Sequence, residues 1–179
     1  MVIGNDDRQV TNAVNAFPLS AVTAVDMFYP NIGNFIGSGI VIAPNHVLTA
    51  AHNAYDTTQN VATNIIRATT STNLNGANGL NSRTIGTFGD PVNNVTNVNF
   101  LKNYNTTESF NDDIALFTTN NTLLPSSSVV GLIAFVDPSE SRGYAVNTAG
   151  YPGDNVSSNI PGNSGISGRD LVIGTGSLG

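Results

Sequence analysis

Residues 37–52 read GSGIVIAPNHVLTAAH: an apolar run Ile40-Val41-Ile42, the breaker pair Pro44-Asn45, and a second apolar run that closes in Thr49-Ala50-Ala51-His52. Short runs rich in Val, Ile, Thr and Phe, bounded by Pro, Asn, Gly and Ser, are strand signals. The same punctuation recurs along the chain. It predicts strands at Leu19 to Phe28, Phe35 to Ile42, His46 to Ala50, Ile65 to Thr70, Arg83 to Phe88, Val95 to Leu101 and Ile114 to Thr118. Further strands are predicted at Val129 to Val136, Tyr144 to Ala149 and Leu171 to Thr175. No long helical periodicity appears, so the fold class is all-β, a sandwich or a barrel. The segment Ser71 to Ser82, STNLNGANGLNS, is low in complexity and reads as a surface loop. Asn120 to Ser128, with Pro125 inside it, reads as the connection between two halves of one fold.

Composition narrows the function. The 179 residues suffice for one sizeable domain or two small barrels sharing an interface. The chain has no cysteine, so neither disulfides nor a thiolate metal site can hold it, and hydrophobic packing must. Only 10% of the residues are charged, the net charge is −6, and Lys102 with five scattered arginines makes no basic patch, which argues against nucleic acid as a partner. No apolar run approaches the roughly 20 residues that span a bilayer, so no membrane partner is expected. Asparagine stands at 26 positions and supplies polarity without charge, which suits an extracellular protein. The N-terminus, Met1-Val2-Ile3-Gly4-Asn5-Asp6-Asp7-Arg8, has neither a basic nor an apolar leader region, so a secreted protein would here have lost its leader or had it replaced by Met1. Asp6, Asp7, Asp112 and Asp154 form no ligand loop of recognised spacing and read as solvated; no metal and no cofactor is expected.

There are two histidines. His46 follows Pro44-Asn45 at the start of the strand predicted at His46 to Ala50 and reads as a surface turn histidine. His52 ends an apolar strand after two alanines that let neighbouring groups come close. A lone histidine after a strand is more often structural. Likewise, a carboxylate heading a strand, as in Asp113-Ile114-Ala115-Leu116, is a common opening, and a serine between glycines, as in Gly162-Asn163-Ser164-Gly165, is a common turn. Together, in the order His, Asp, Ser, they supply what a serine nucleophile requires. A serine hydroxyl attacks poorly until a base takes its proton. His52 would be that base and then the acid for the leaving amine, with a buried Asp113 setting its tautomer. The glycines beside Ser164 permit a tight turn that aims the amides of Gly162 and Ser164 at a developing oxyanion.

Set beside Val2-Ile3-Gly4 with Asp7-Arg8, Gly37-Ser38-Gly39-Ile40-Val41-Ile42 and Gly150-Tyr151-Pro152-Gly153-Asp154, these segments run from one end of the chain to the other. Jointly they resemble the V8-like, or glutamyl endopeptidase, branch of the trypsin/chymotrypsin serine protease family. The resemblance implies a single domain over residues 1–179 built as a double β-barrel. Residues 1–120 would form mainly the first barrel, carrying His52 and Asp113, and 121–179 part of the second, carrying Ser164. It also implies a monomeric, secreted endopeptidase acting on polypeptide substrates. Asn163 stands where many trypsin-like enzymes have an aspartate, and asparagine cannot pair with a new N-terminal ammonium. In the V8-like branch the mature N-terminal residue instead helps bind substrate, a role that falls on Val2.

The likeness thins in the second half. Eight residues, DNVSSNIP, separate Gly153 from Gly162 where relatives place two strands and the walls of the specificity pocket. The resemblance therefore leads us to expect an incomplete second barrel, either because residues are missing between Asp154 and Pro161 and beyond Gly179 or because the chain is a shortened homologue that keeps the triad residues without the pocket. After His52 no histidine follows to hold a glutamate side chain; Thr175 and Ser177 remain as hydrogen-bonding candidates for a bound side chain. The alternative is a catalytically inactive binding or adhesion module on the same fold.

Overall fold

The computed structural model describes residues 9–11, 13–63, 65–70, 94–107, 109–131, 145–151 and 171–177. In chain order the strands are β1 (Gln9–Val10), β2 (Val22–Tyr29), β3 (Gly33–Ala43), β4 (His46–Thr49), β5 (Tyr55–Asp56), β6 (Val61–Ala62), β7 (Ile65–Thr70), β8 (Val95–Phe100), β9 (Ala115–Thr119), β10 (Ala145–Gly150) and β11 (Val172–Ser177). One four-residue helix, α1 (Tyr104–Thr107), lies between β8 and β9.

Six strands form an antiparallel sheet in the order β7-β2-β3-β4-β9-β8. Its two edges meet: Arg67 in β7 bridges Asn94 at the head of β8, which curls the sheet into a barrel. Edges that meet in this way present less unpaired backbone to template aggregation. The β2–β3 hairpin turns through Pro30-Asn31-Ile32, with Asn31 at φ 65° and Gly33 at φ 135°. Asparagine tolerates the first conformation, and only glycine adopts the second without strain.

β2 is buried along nearly its whole length because its two faces serve two cores. Alternation sends Val25, Met27 and Tyr29 into the barrel, where they meet Val41, Val47, Ile66, Ala68 and Phe117. The opposite face sends Val22 and Ala24 against Val14, Tyr151 and Leu171. That second cluster joins the barrel to a three-stranded sheet, β1-β11-β10, so the N-terminal strand pairs with the last one. On the same outward face Asp26 is sealed opposite Arg67, with Nη2 donating to Oδ2 at 3.0 Å. Losing one partner of such a buried pair costs about 3–5 kcal/mol.

The predicted strands recur with shifted ends, and three points differ. Leu19–Ala21 is a 3-10 turn, because the Ala21 N–H returns to the Pro18 carbonyl before β2 begins. Val129, Val130 and Gly131 are not in a strand; Val129 and Val130 dock on the barrel core, and the Val130 N–H reaches the Val41 carbonyl where β3 is bulged. β1, β5 and β6 escaped the sequence reading because two residues carry no alternation. The strand expected at Arg83 to Phe88 lies outside the described residues.

Candidate active site

β4 and β9 are antiparallel neighbours with Thr49 opposite Ala115, so the exit of β4 and the approach to β9 lie side by side. His52 stands three residues beyond Thr49, in a 3-10 turn over Ala51–Asn53, and Asp113 two residues before Ala115, just after a 3-10 turn over Phe110–Asp112. Strand pairing thus brings together two residues 61 apart in sequence. The Asp113 carboxylate grips His52 twice: Oδ1 accepts the backbone N–H at 2.9 Å and Oδ2 lies 2.7 Å from Nδ1. The imidazole is 62% exposed and the carboxylate 17%. With the proton of a neutral ring on Nδ1, facing the carboxylate, the Nε2 lone pair is left for a substrate or a nucleophile.

The turn that carries His52 is fixed from beneath. The Asn53 amide donates to Thr49 Oγ1 at 2.7 Å, and that hydroxyl donates to the Ser38 carbonyl at 2.7 Å. Asn53 has room only because residue 37 is glycine: a Cβ there would stand 2.5 Å from Asn53 Oδ1. From the barrel core, the Tyr29 hydroxyl donates to the His52 carbonyl at 2.5 Å. Burial first, then the Asp56 carboxylate and the Tyr104 phenol, push the Tyr29 ionisation well up, so it stays a donor throughout the neutral range.

Of the other expected site residues, Gly162, Ser164 and Val2 lie outside the described residues. Thr175 is exposed on β11 and lines a cavity of about 630 Å³ with Leu19, Ile40 and Ile173, apart from the cavity that borders His52. Ser177 ends β11, and its side chain is not among those described. His46 begins β4, directly after the turn at Pro44-Asn45, and its Nδ1 is sealed from solvent rather than presented at the surface. Sequence reading missed Tyr29, Thr49 and Asn53. Thr49 lay inside the quoted stretch, whereas nothing local to Tyr29 signals a bond across 23 residues.

A six-stranded sheet curled into a barrel and joined to a second antiparallel sheet is the fold of the trypsin-like serine proteases, with only part of a second barrel among the described residues. The chain is similar to a Glu endopeptidase, with 20% identity and a TM-score of 0.71 over 99% of this chain and 70% of that one. It is also similar to the thermostable serine protease AL20 from an extremophilic microorganism, with 16% identity, TM-score 0.63 and coverage of 88% and 65%. A third likeness is to an inactivated protease paralogue of the scabies mite, with 20% identity, TM-score 0.57 and coverage of 93% and 63%. The chain therefore spans about two thirds of the length of these structures. No family model and no curated protein matches the sequence.

Proposed function

We propose that the chain is a secreted serine endopeptidase. Ser164 attacks the peptide carbonyl, His52 takes its proton and passes it to the leaving amine, and Asp113 holds the ring and offsets the imidazolium charge. The amides of Gly162 and Ser164 receive the oxyanion, and Val2, Thr175 and Ser177 contribute to substrate binding. The observation that carries this reading is the double grip of Asp113 on His52, at backbone and ring together. A carboxylate that only capped a turn would need the backbone contact alone. Likeness in fold to serine proteases adds support.

The test is a serine-directed fluorophosphonate probe with casein hydrolysis alongside. Labelling that disappears in Ser164→Ala and in His52→Ala, with proteolysis lost in parallel, is the expected result. A protein that binds polypeptide but neither labels nor cleaves would be the inactive module instead. Similarity to an inactivated paralogue at the same identity as to the Glu endopeptidase keeps that second reading in view.

A further inference from the structure

A cavity of about 250 Å³ opens beside His52. The described residues that line it include the aromatic residues Tyr29, Phe35, Tyr55 and Tyr104 and one acidic residue, Asp56. It is smaller than the roughly 300–1,000 Å³ of pockets that enclose whole small molecules, and suits a single side chain. Phe35 is 45% exposed, an unusual position for a phenylalanine, and meets Tyr29 edge-on with ring centroids 5.7 Å apart. Asp56 Oδ1 accepts the Gln59 N–H at 2.9 Å, and among the described residues no Lys or Arg pairs with this carboxylate. Aromatic side chains lining a cavity beside a carboxylate that no Lys or Arg among the described residues offsets make a site for a cation, because aromatic groups and a carboxylate both attract positive charge. The net charge of −6 adds long-range attraction for basic segments.

We propose that this cavity binds a lysine or arginine side chain of a polypeptide held across His52, with Asp56 as counter-charge and the four rings as its lining. As a subsite for cleavage it rests on the endopeptidase reading. As a cation site it does not.

The experiment exploits tyrosine emission, which is readable here because the chain has five tyrosines and no tryptophan. Ser164→Ala protein, incapable of turnover, is titrated with N-acetyl-lysine methylamide and with its uncharged norleucine counterpart, at low and at high salt. Saturable binding of the lysine compound, at least about fivefold tighter than norleucine and weakened by salt, is expected. Asp56→Asn keeps the acceptor for Gln59 and should weaken lysine binding about tenfold. Equal binding of the two compounds, no binding of the lysine compound, or an unchanged titration in Asp56→Asn overturns the proposal. With active protein, peptides bearing Lys rather than Gln beside the cleaved bond should be preferred, and Asp56→Asn should erase the preference. Lysine binding without any labelling or cleavage would sink the endopeptidase reading and leave the cation site standing. Cleavage with no discrimination between lysine and norleucine would do the reverse.

Discussion

The hydroxyl of Ser38 holds Tyr151 at both ends of its backbone: Oγ accepts the Tyr151 N–H at 2.7 Å and donates to the Tyr151 carbonyl at 3.1 Å. Ser38 belongs to β3 of the barrel and Tyr151 directly follows β10 of the second sheet, so one side chain ties the two halves. The Ser38 carbonyl meanwhile receives Thr49, which supports the His52 turn. The seam between the halves and the platform beneath the imidazole therefore share one residue. Ser38→Ala is expected to destabilise the protein by about 1–3 kcal/mol, because a half-buried peptide group loses two bonds. Urea denaturation measures this. A change within 0.3 kcal/mol, roughly the error of such comparisons, would mean the seam holds without Ser38.

Asp113→Asn tests the second contact of the pair. An amide can still accept the His52 backbone N–H, so the turn should persist, but the ring loses its charged partner and its enforced tautomer. If the chain cleaves peptides, kcat should fall roughly 10⁴-fold, while Asp112→Asn, next door, costs little. Comparable losses for both variants would show that the loop rather than the carboxylate matters.

Tyr29 is expected to contribute to the alkaline limb of stability. Its folded-state ionisation is raised, by burial above all. The stabilisation this implies is complete below the ordinary phenol value of about 10 and is lost as pH rises beyond it, because the unfolded chain then ionises and the folded one does not. Stability measured from pH 8 to 11 should decline more steeply in the wild type than in Tyr29→Phe. The same variant removes a donor to the His52 carbonyl and should lower kcat several-fold without abolishing it, as expected for a positioning group. Parallel pH profiles for the two proteins would contradict the assignment.

Gly37→Ala places a methyl 2.5 Å from Asn53 Oδ1, where Asn53 cannot swing aside without breaking its bond to Thr49. A loss of about 1–3 kcal/mol is expected, with weakened activity as the His52 turn shifts. Gly131→Ala is the control: none of the described residues lies within 4 Å of its Cβ position, so the change should be neutral or slightly stabilising. Thermal unfolding compares the two, and equal shifts would mean that residue 37 has slack.

Much of this was legible in residue order alone. The β2, β3, β4 and β9 strands announce themselves because a strand between breakers is a local pattern, set by side-chain branching and the φ restrictions of Pro, Gly and Asn. The choice of His52 and Asp113 as a candidate pair was also readable, since chemistry limits which residue types can serve and only two histidines exist, and the structure brings the two into contact. Two-residue strands such as Gln9–Val10 and Tyr55–Asp56 were not legible, because two residues carry no alternation, and Gln9–Val10 pairs only with the distant Ile173 and Val172. What the tertiary structure alone decided are the long-range distances: Asp113 meeting both atoms of His52, Tyr29 reaching its carbonyl from inside the barrel, and Ser38 clasping Tyr151 across 113 positions. The four rings that share a cavity with Asp56 belong to segments spread from Tyr29 to Tyr104. Sequence names the groups, but barrel closure and strand register determine which of them come within hydrogen-bonding reach, because that depends on how every intervening segment packs.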